Sequence, residues 1–427
     1  MNRRNRMPTL LCLALVAAVV LGACAPAAAP GGVTQIVVTA PPQLITQVVT
    51  QIVNGTSQPV VITATPGPTQ PPSAPSATAL PAGSITLSGA GATFPDPIYT
   101  EWRFAYQYVD PSVVINYVAN GSGGGQKAIE DGTVDFAGSD SLLPDSAYTT
   151  TPDLQMFPTV AGAIVAMYNI KEITSGLILD GPSLAGIYLG KITMWNDPAI
   201  VALNPSLTVP AQKITVVHRS DGSGTTDNFT KYLSDVSPDW VTAVGAPGHG
   251  NTVQWPVDKA GNGIGGKGNA GVAAAVQNTP YSIGYVELSY AVANAIPFAD
   301  MINAAGKKVT ANHDSLVSAM ADYGTAFSDR LTIDRITNGK GAGSWPISTY
   351  TYQVLHMTNK ADPTWGCLKV TKYLNWVHWF LTDAGASARA TKLGYSTLPD
   401  AVRTKVIAKL ATVQCDGKPV HSDMTAQ

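Results

Sequence analysis

The segment HRSDGSGTTDNF, residues 218–229, crowds an arginine, an aspartate two residues on, two glycines bracketing a serine and two adjacent threonines into a dozen positions. Arg219 offers a planar fork of donors suited to a tetrahedral oxyanion. Asp221 is placed either to hold that fork or to cap the following turn. Glycine lets the backbone approach a ligand closely, and Ser223, Thr225 and Thr226 add hydroxyl donors where a helix is expected to begin. A helix start leaves N–H groups without partners and carries roughly half a positive charge. Two earlier stretches share this chemistry: SGAGATFPDP (88–97) and ANGSGGGQKAIED (119–131). One such junction is explained by ordinary capping, because Ser and Thr are good N-caps. Three of them, together with Arg219, point to the holding of a small anion.

Other chemistries find little support. GSGGGQK lacks the spacing and the final hydroxyl of a P-loop. GNGIGG (261–266) matches GxGxxG, but VQWPVDKA before it is a poor strand, so a chance match in a Gly-rich loop is expected. There is no GxSxG elbow and no HExxH. The six histidines are scattered, and Asp96, Asp135, Asp140 and Asp145 show no recurring metal-ligand spacing. Neither catalysis nor a cofactor or metal is expected.

Strand and helix patterns alternate from Ser84 onward, which argues for an α/β fold with mostly parallel sheets. SITLS (84–88), VVINYVA (113–119), TVDFAGS (133–139), AIVAMYN (163–169), ITVVH (214–218) and SIGYV (282–286) read as strands. PIYTEWRFAYQYV (97–109), GQKAIED and LKVTKYLNWVHWFLTD (368–383) read as helices. In the last, Val370, Tyr373, Leu374, Val377, Phe380 and Leu381 recur at three- and four-residue spacing and define a core face. About 340 residues is long for one such sheet, so two lobes are expected.

The N-terminus reads as an export signal. Arg3, Arg4 and Arg6 precede the apolar run 10–21, which is short for a membrane span. It ends in LGAC, which resembles a bacterial lipobox. Cleavage after residue 23 would leave Cys24 as the lipid-carrying first residue; the alternative is an ordinary signal with an incidental cysteine. Residues 24–83 carry no charged side chain and are dense in Pro, Thr and Val, as in an extended tether, with a short β-rich segment as the alternative. Beyond Cys24 only Cys367 and Cys415 remain. In an oxidising compartment they form one disulfide or stay as two free thiols. Without the signal, 23 basic residues face 28 acidic ones. Such a chain has no general attraction for anions and no basic run for nucleic acid, so any anion must be held by local groups.

The blocks GAGATFPDPIY, GSGGGQKAIEDGTVDFAGSD, IYLGKITMWNDPAI, HRSDGSGTTDNF and SIGYVE, in this order from about Ser84 towards Pro399, resemble the phosphate-binding proteins of bacterial ABC transporters, the PstS type. The resemblance implies a two-lobed Venus-flytrap fold of the type II-like periplasmic binding-protein kind. Each lobe would be a mixed, mainly parallel sheet flanked by helices, with the ligand in the cleft. Lobe I would comprise residues 84–160 and 346–427, and lobe II residues 161–345, with crossings near Thr159–Ala161 and Trp345–Tyr350. By matching position, Thr93 and Phe94 would contact the anion from the first junction, and Ser122 from the second. Asp140 would face it as an acceptor, and Arg219, Ser223, Gly224 and Thr225 would close over it. Where the family often has a second arginine before its binding one, this chain has His218, a neighbour placed to tune the potential at the mouth.

The implied partners are inorganic phosphate and the permease subunits of an ABC importer. The molecule would work as a monomer outside the cytoplasmic membrane, held to it through Cys24. Asp140 sharpens the ligand choice. An ionised carboxylate only accepts, so it suits an oxyanion that carries a proton, as phosphate does at neutral pH and sulfate does not. Arsenate passes the same test. Other readings are an organophosphate, molybdate or tungstate carrier of the same fold, or a surface-anchored phosphatase.

Overall fold

The structure is a computed structural model that describes the strands Gln47–Val53 and Thr56–Ile62 and residues 83–425. The segment expected as a signal, Cys24 and most of the segment expected as a tether lie outside the described residues. The chain divides into two compact units, Met1–Ser76 and Ala77–Gln427. In the first, strands β1 (Gln47–Val53) and β2 (Thr56–Ile62) pair antiparallel. This pair lies within residues 24–83, where the composition left a short β-rich segment open as the alternative to an extended tether.

The second unit is built on a nine-stranded sheet. Its strands in chain order are β3 (Ile85–Gly91), β4 (Val113–Ala119), β5 (Phe136–Ser139), β6 (Leu154–Tyr168), β8 (Thr215–Arg219), β9 (Gly263–Gly266), β10 (Ser282–Glu287) and β13 (Ser348–His356), with a two-residue strand, Ser396–Thr397, beside β6. A small second sheet uses β7 (Ile178–Asp180), β11 (Asp300–Ile302) and β12 (Lys308–Val309). In the large sheet, β3 pairs parallel with β4 and β5, and β8 pairs parallel with β9 and β10. Antiparallel β6 and β13 join these two blocks. Residues 154–163 of β6 face β13, and residues 164–168 face β10.

This layout explains which strands the sequence hides. All fifteen residues of β6 are buried, as are eight of the nine in β13. A strand covered on both faces shows no alternation. Only the apolar end of β6 is legible from its sequence, and β13 is not legible at all. The β6–β13 register slips where Thr351 faces Val160 and Tyr352 faces Pro158. Proline lacks the N–H that a ladder requires, and a bulge accommodates it.

The expected helices form as Asp96–Tyr106, Ser122–Glu130 and Leu368–Thr382. The last buries Tyr373, Leu374, Trp376, Val377, Phe380 and Leu381, so Trp376 widens the expected face and Val370 lies at its margin. Phe380 stacks on Trp102 at 4.5 Å between ring centroids and ties this helix to Asp96–Tyr106. A disulfide joins Cys367, at the helix start, to Cys415.

Candidate functional site

Each of the three junctions ends a parallel strand and starts a helix; β8 runs opposite to β3 and β4, and the offset of the two parallel blocks along β6 sets their C-terminal ends against each other. At the first, Thr93 and Phe94 lie between β3 and the helix Asp96–Tyr106, both buried. The Tyr290 hydroxyl donates to the Thr93 carbonyl at 2.6 Å, and the Tyr395 hydroxyl to the Phe94 carbonyl at 2.7 Å. In a trans peptide the N–H points opposite its carbonyl. Tyr290 thereby turns the Phe94 N–H away from itself, as a free-standing donor requires.

The second and third junctions meet face to face. Ser122 opens the helix Ser122–Glu130, and its hydroxyl oxygen accepts from the N–H of Asp140 and the N–H of Gly224, each at 3.1 Å. The Gly123 N–H donates to the Gly222 carbonyl at 3.1 Å. Asn228 donates from Nδ2 to the carbonyls of Asp140 and Gly224, at 2.6 and 2.9 Å. Gly224 must be glycine for this approach, because a Cβ there would lie 2.6 Å from Ser122 Oγ and 2.7 Å from Asp140 Cβ. Ser223 caps the helix Gly224–Val236, accepting from the Thr226 N–H at 3.0 Å.

Arg219 ends β8 with its side chain only 1% exposed. Asp221 holds the guanidinium by two bonds, Nε to Oδ1 at 2.8 Å and Nη2 to Oδ2 at 2.6 Å. Of the two roles open to Asp221, the fork-holding one is the role it takes. The Gly268 N–H also donates to Asp221 Oδ1, at 2.9 Å. Burial works to raise the Asp221 carboxyl, but these bonds outweigh it and hold the group below the ordinary carboxylate range. Arg219 Nη1 reaches Thr225 Oγ1 at 3.4 Å, and the Tyr285 hydroxyl accepts from the Arg219 backbone N–H.

Asp140 follows β5 and is 3% exposed. Thr351, from β13, donates to its Oδ1 at 2.7 Å. Burial pushes the carboxyl up to about 7, against the pull of that bond and of the Arg219 charge. The structure thus gathers Thr93, Phe94, Ser122, Asp140, Arg219, Ser223, Gly224 and Thr225 into one sealed layer, with Asp221 behind the arginine.

His218 departs from its expected place. It is 6% exposed, stacks on Trp255 at 5.0 Å and bonds Asp258 through Nε2 at 2.8 Å, so it packs the interior instead of lining a mouth. The segment expected as a Gly-rich loop also differs. Gly263–Gly266 is a strand parallel to β8, and the helix Gly268–Asn278 follows at once. It supplies a fourth junction, whose Asn269 donates from its backbone N and from Nδ2 to Thr93 Oγ1. Asn269, Thr351, Tyr285, Tyr290 and Tyr395 carry no local sequence signal of their role. Asp135 is paired with Lys369 and Asp145 with Arg330, away from the site, while Asp96 opens the helix after Phe94 and donates from its backbone N–H to the Thr93 carbonyl at 3.3 Å. Among the described residues no helix is long and apolar enough to cross a membrane.

A mixed sheet that brings donor-rich helix starts together on one buried arginine and one buried carboxylate defines a class of binding protein. Residues 69–383 match the PBP superfamily domain. The chain is 40% identical over 337 residues to the phosphate-binding protein PstS of Pasteurella multocida, covering 78% of this chain and 92% of that protein. It is 44% identical over 280 residues to PstS of Xylella fastidiosa, covering 65% and 73%. The solved phosphate-binding protein from Stenotrophomonas maltophilia shares the fold at a TM-score of 0.57 with 20% identity, covering 76% of this chain and 94% of that one. The chain belongs to the PBP superfamily and, within it, to the PstS phosphate-binding proteins.

Proposed function

We propose that this protein captures inorganic phosphate outside the cytoplasm and delivers it, chemically unchanged, to the permease of an ABC importer. The observation that carries the reading is the presence of Asp140 and Arg219 together in one buried donor-rich layer. Arg219, the Ser122, Ser223 and Thr225 hydroxyls and the helix-start N–H groups supply donors for a tetrahedral anion. Thr351 donates to Asp140 Oδ1, Ser122 and Thr225 also lie against the carboxylate, and its remaining lone pairs can accept from a ligand hydroxyl. Hydrogenphosphate has that hydroxyl and sulfate lacks it. Against sulfate the site would set acceptor against acceptor in a desolvated space, a cost of several kcal/mol (~2–7).

In this reading residues 84–160 with 346–427 form lobe I, and residues 161–345 form lobe II. Support comes from β6, which changes partner from β13 to β10 after Ala163, close to the bulge at Pro158. The lobes open and close about these two strands as hinges. Direct bonds between the second and third junctions mark the closed arrangement. Lipid attached at Cys24, with the following segment as tether, keeps a monomeric carrier at the membrane.

The test is titration of Asp140→Asn and the parent chain with phosphate and with sulfate. An asparagine amide can donate to sulfate, so the variant is expected to lose most of the discrimination. Undiminished preference for phosphate would sink the assignment of Asp140.

A further inference from the structure

Asn269 is buried completely, and it touches both sides of the anion layer. Its backbone N–H donates to Thr93 Oγ1 at 3.1 Å and its Nδ2 donates to the same oxygen at 2.8 Å. Nδ2 also reaches Thr225 Oγ1 at 3.3 Å. Its Oδ1 accepts from the Glu287 backbone N–H at 3.0 Å, which fixes the amide orientation. A hydroxyl oxygen has two acceptor sites and one proton. Asn269 fills both acceptor sites of Thr93, so the only bond left to that hydroxyl is one it donates. The Tyr290 hydroxyl meanwhile holds the carbonyl of the same residue. Thr93 is therefore locked as a donor before any ligand arrives.

We infer that Asn269 is a positioning residue for anion capture: it forces the Thr93 hydroxyl to donate to the ligand and ties Thr93 to Thr225 as the site closes. This rests on the phosphate reading above. Asn269 need not touch phosphate itself. Its contribution is preorganisation, since a hydroxyl free to rotate would accept as readily as donate.

The experiment is a double-mutant cycle read by calorimetric titration of the anion-stripped full chain with inorganic phosphate. The variants are Asn269→Ala, Thr93→Val and the two combined. Each single change is expected to weaken phosphate binding by about tenfold or more, the usual effect of one bond to a charged group. The pair is expected to lose little beyond the larger single loss, because both remove one donated bond. Losses that multiply, or an unchanged affinity in Asn269→Ala, would overturn the inference.

Asn269→Asp guards against a variant that fails to fold, since it keeps the shape and the Oδ1 acceptor. Its ionised carboxylate would draw the Thr93 proton away from the ligand. Its phosphate affinity relative to the parent is expected to recover as pH falls and the carboxyl again donates. A ratio flat with pH would contradict the donor-locking role, whereas a packing defect would not titrate. If the parent chain itself binds no phosphate, the functional reading fails and this inference falls with it. If the parent binds and the cycle shows no coupling, the inference alone fails.

Discussion

Asp140 is the residue on which selectivity turns, and its titration makes two expectations concrete. With its carboxyl raised to about 7, the empty folded site holds a proton that the unfolded chain releases near 3.8. This term is fully stabilising below about pH 4 and is lost as pH rises through about 7. Asp140→Asn removes it. The variant should therefore gain thermal stability relative to the parent as pH rises from about 4 to about 8, measured on anion-free protein. A constant difference in melting temperature would contradict the raised carboxyl. The same proton bears on specificity. Below about pH 7 a protonated Asp140 can donate, so weak sulfate binding should emerge at about pH 5 and vanish at about pH 8. Behind the arginine, Asp221→Asn removes the charge that holds the fork. It is expected to cost roughly tenfold or more in phosphate affinity, the scale of one charge-assisted bond. Arg219, Asp221 and the hydroxyls around them were legible because glycine, hydroxyl and arginine cluster locally at strand ends, whereas Asp140 was legible only through the resemblance to the PstS type. Thr351 and Asn269 were not legible, because a single polar residue in a strand or after a Gly run gains its role only from what the fold places opposite it.

At the scale of elements, the site depends on how closely helix starts approach strand ends. Gly125 lies in the helix Ser122–Glu130, where a Cβ would sit 2.5 Å from Gly91 Cα and 2.8 Å from the carbonyls of Ala90 and Gly138. These are backbone atoms of β3 and β5 and cannot turn aside. Gly125→Ala is expected to destabilise the fold by about 1–3 kcal/mol, read from urea unfolding. An unchanged midpoint would mean that the helix can retreat from the sheet without cost. Helices with one core face were readable from spacing, as Leu368–Thr382 shows. β6 and β13 were largely unreadable, because strands buried on both faces lose the alternation that marks a strand. Their antiparallel pairing, the feature that joins the two parallel blocks, is therefore a tertiary fact with no local trace. The misread Gly-rich segment has a related cause: β9 has only four residues, and its parallel partner β8 lies far away in sequence.

At the scale of the whole molecule, one expectation concerns the frame. The Cys367–Cys415 bridge closes a loop of 48 residues. Replacing both cysteines with serine should lower the unfolding free energy by about 4 kcal/mol in the chain-entropy account while leaving the distant anion layer its affinity. Phosphate capture with sulfate refused is best measured by calorimetric titration of the chain stripped of anion by unfolding and refolding. At about pH 8, where Asp140 is ionised, phosphate should bind tightly with a submicromolar Kd and sulfate should give no heat. Equal binding of the two anions, or none of either, would contradict it.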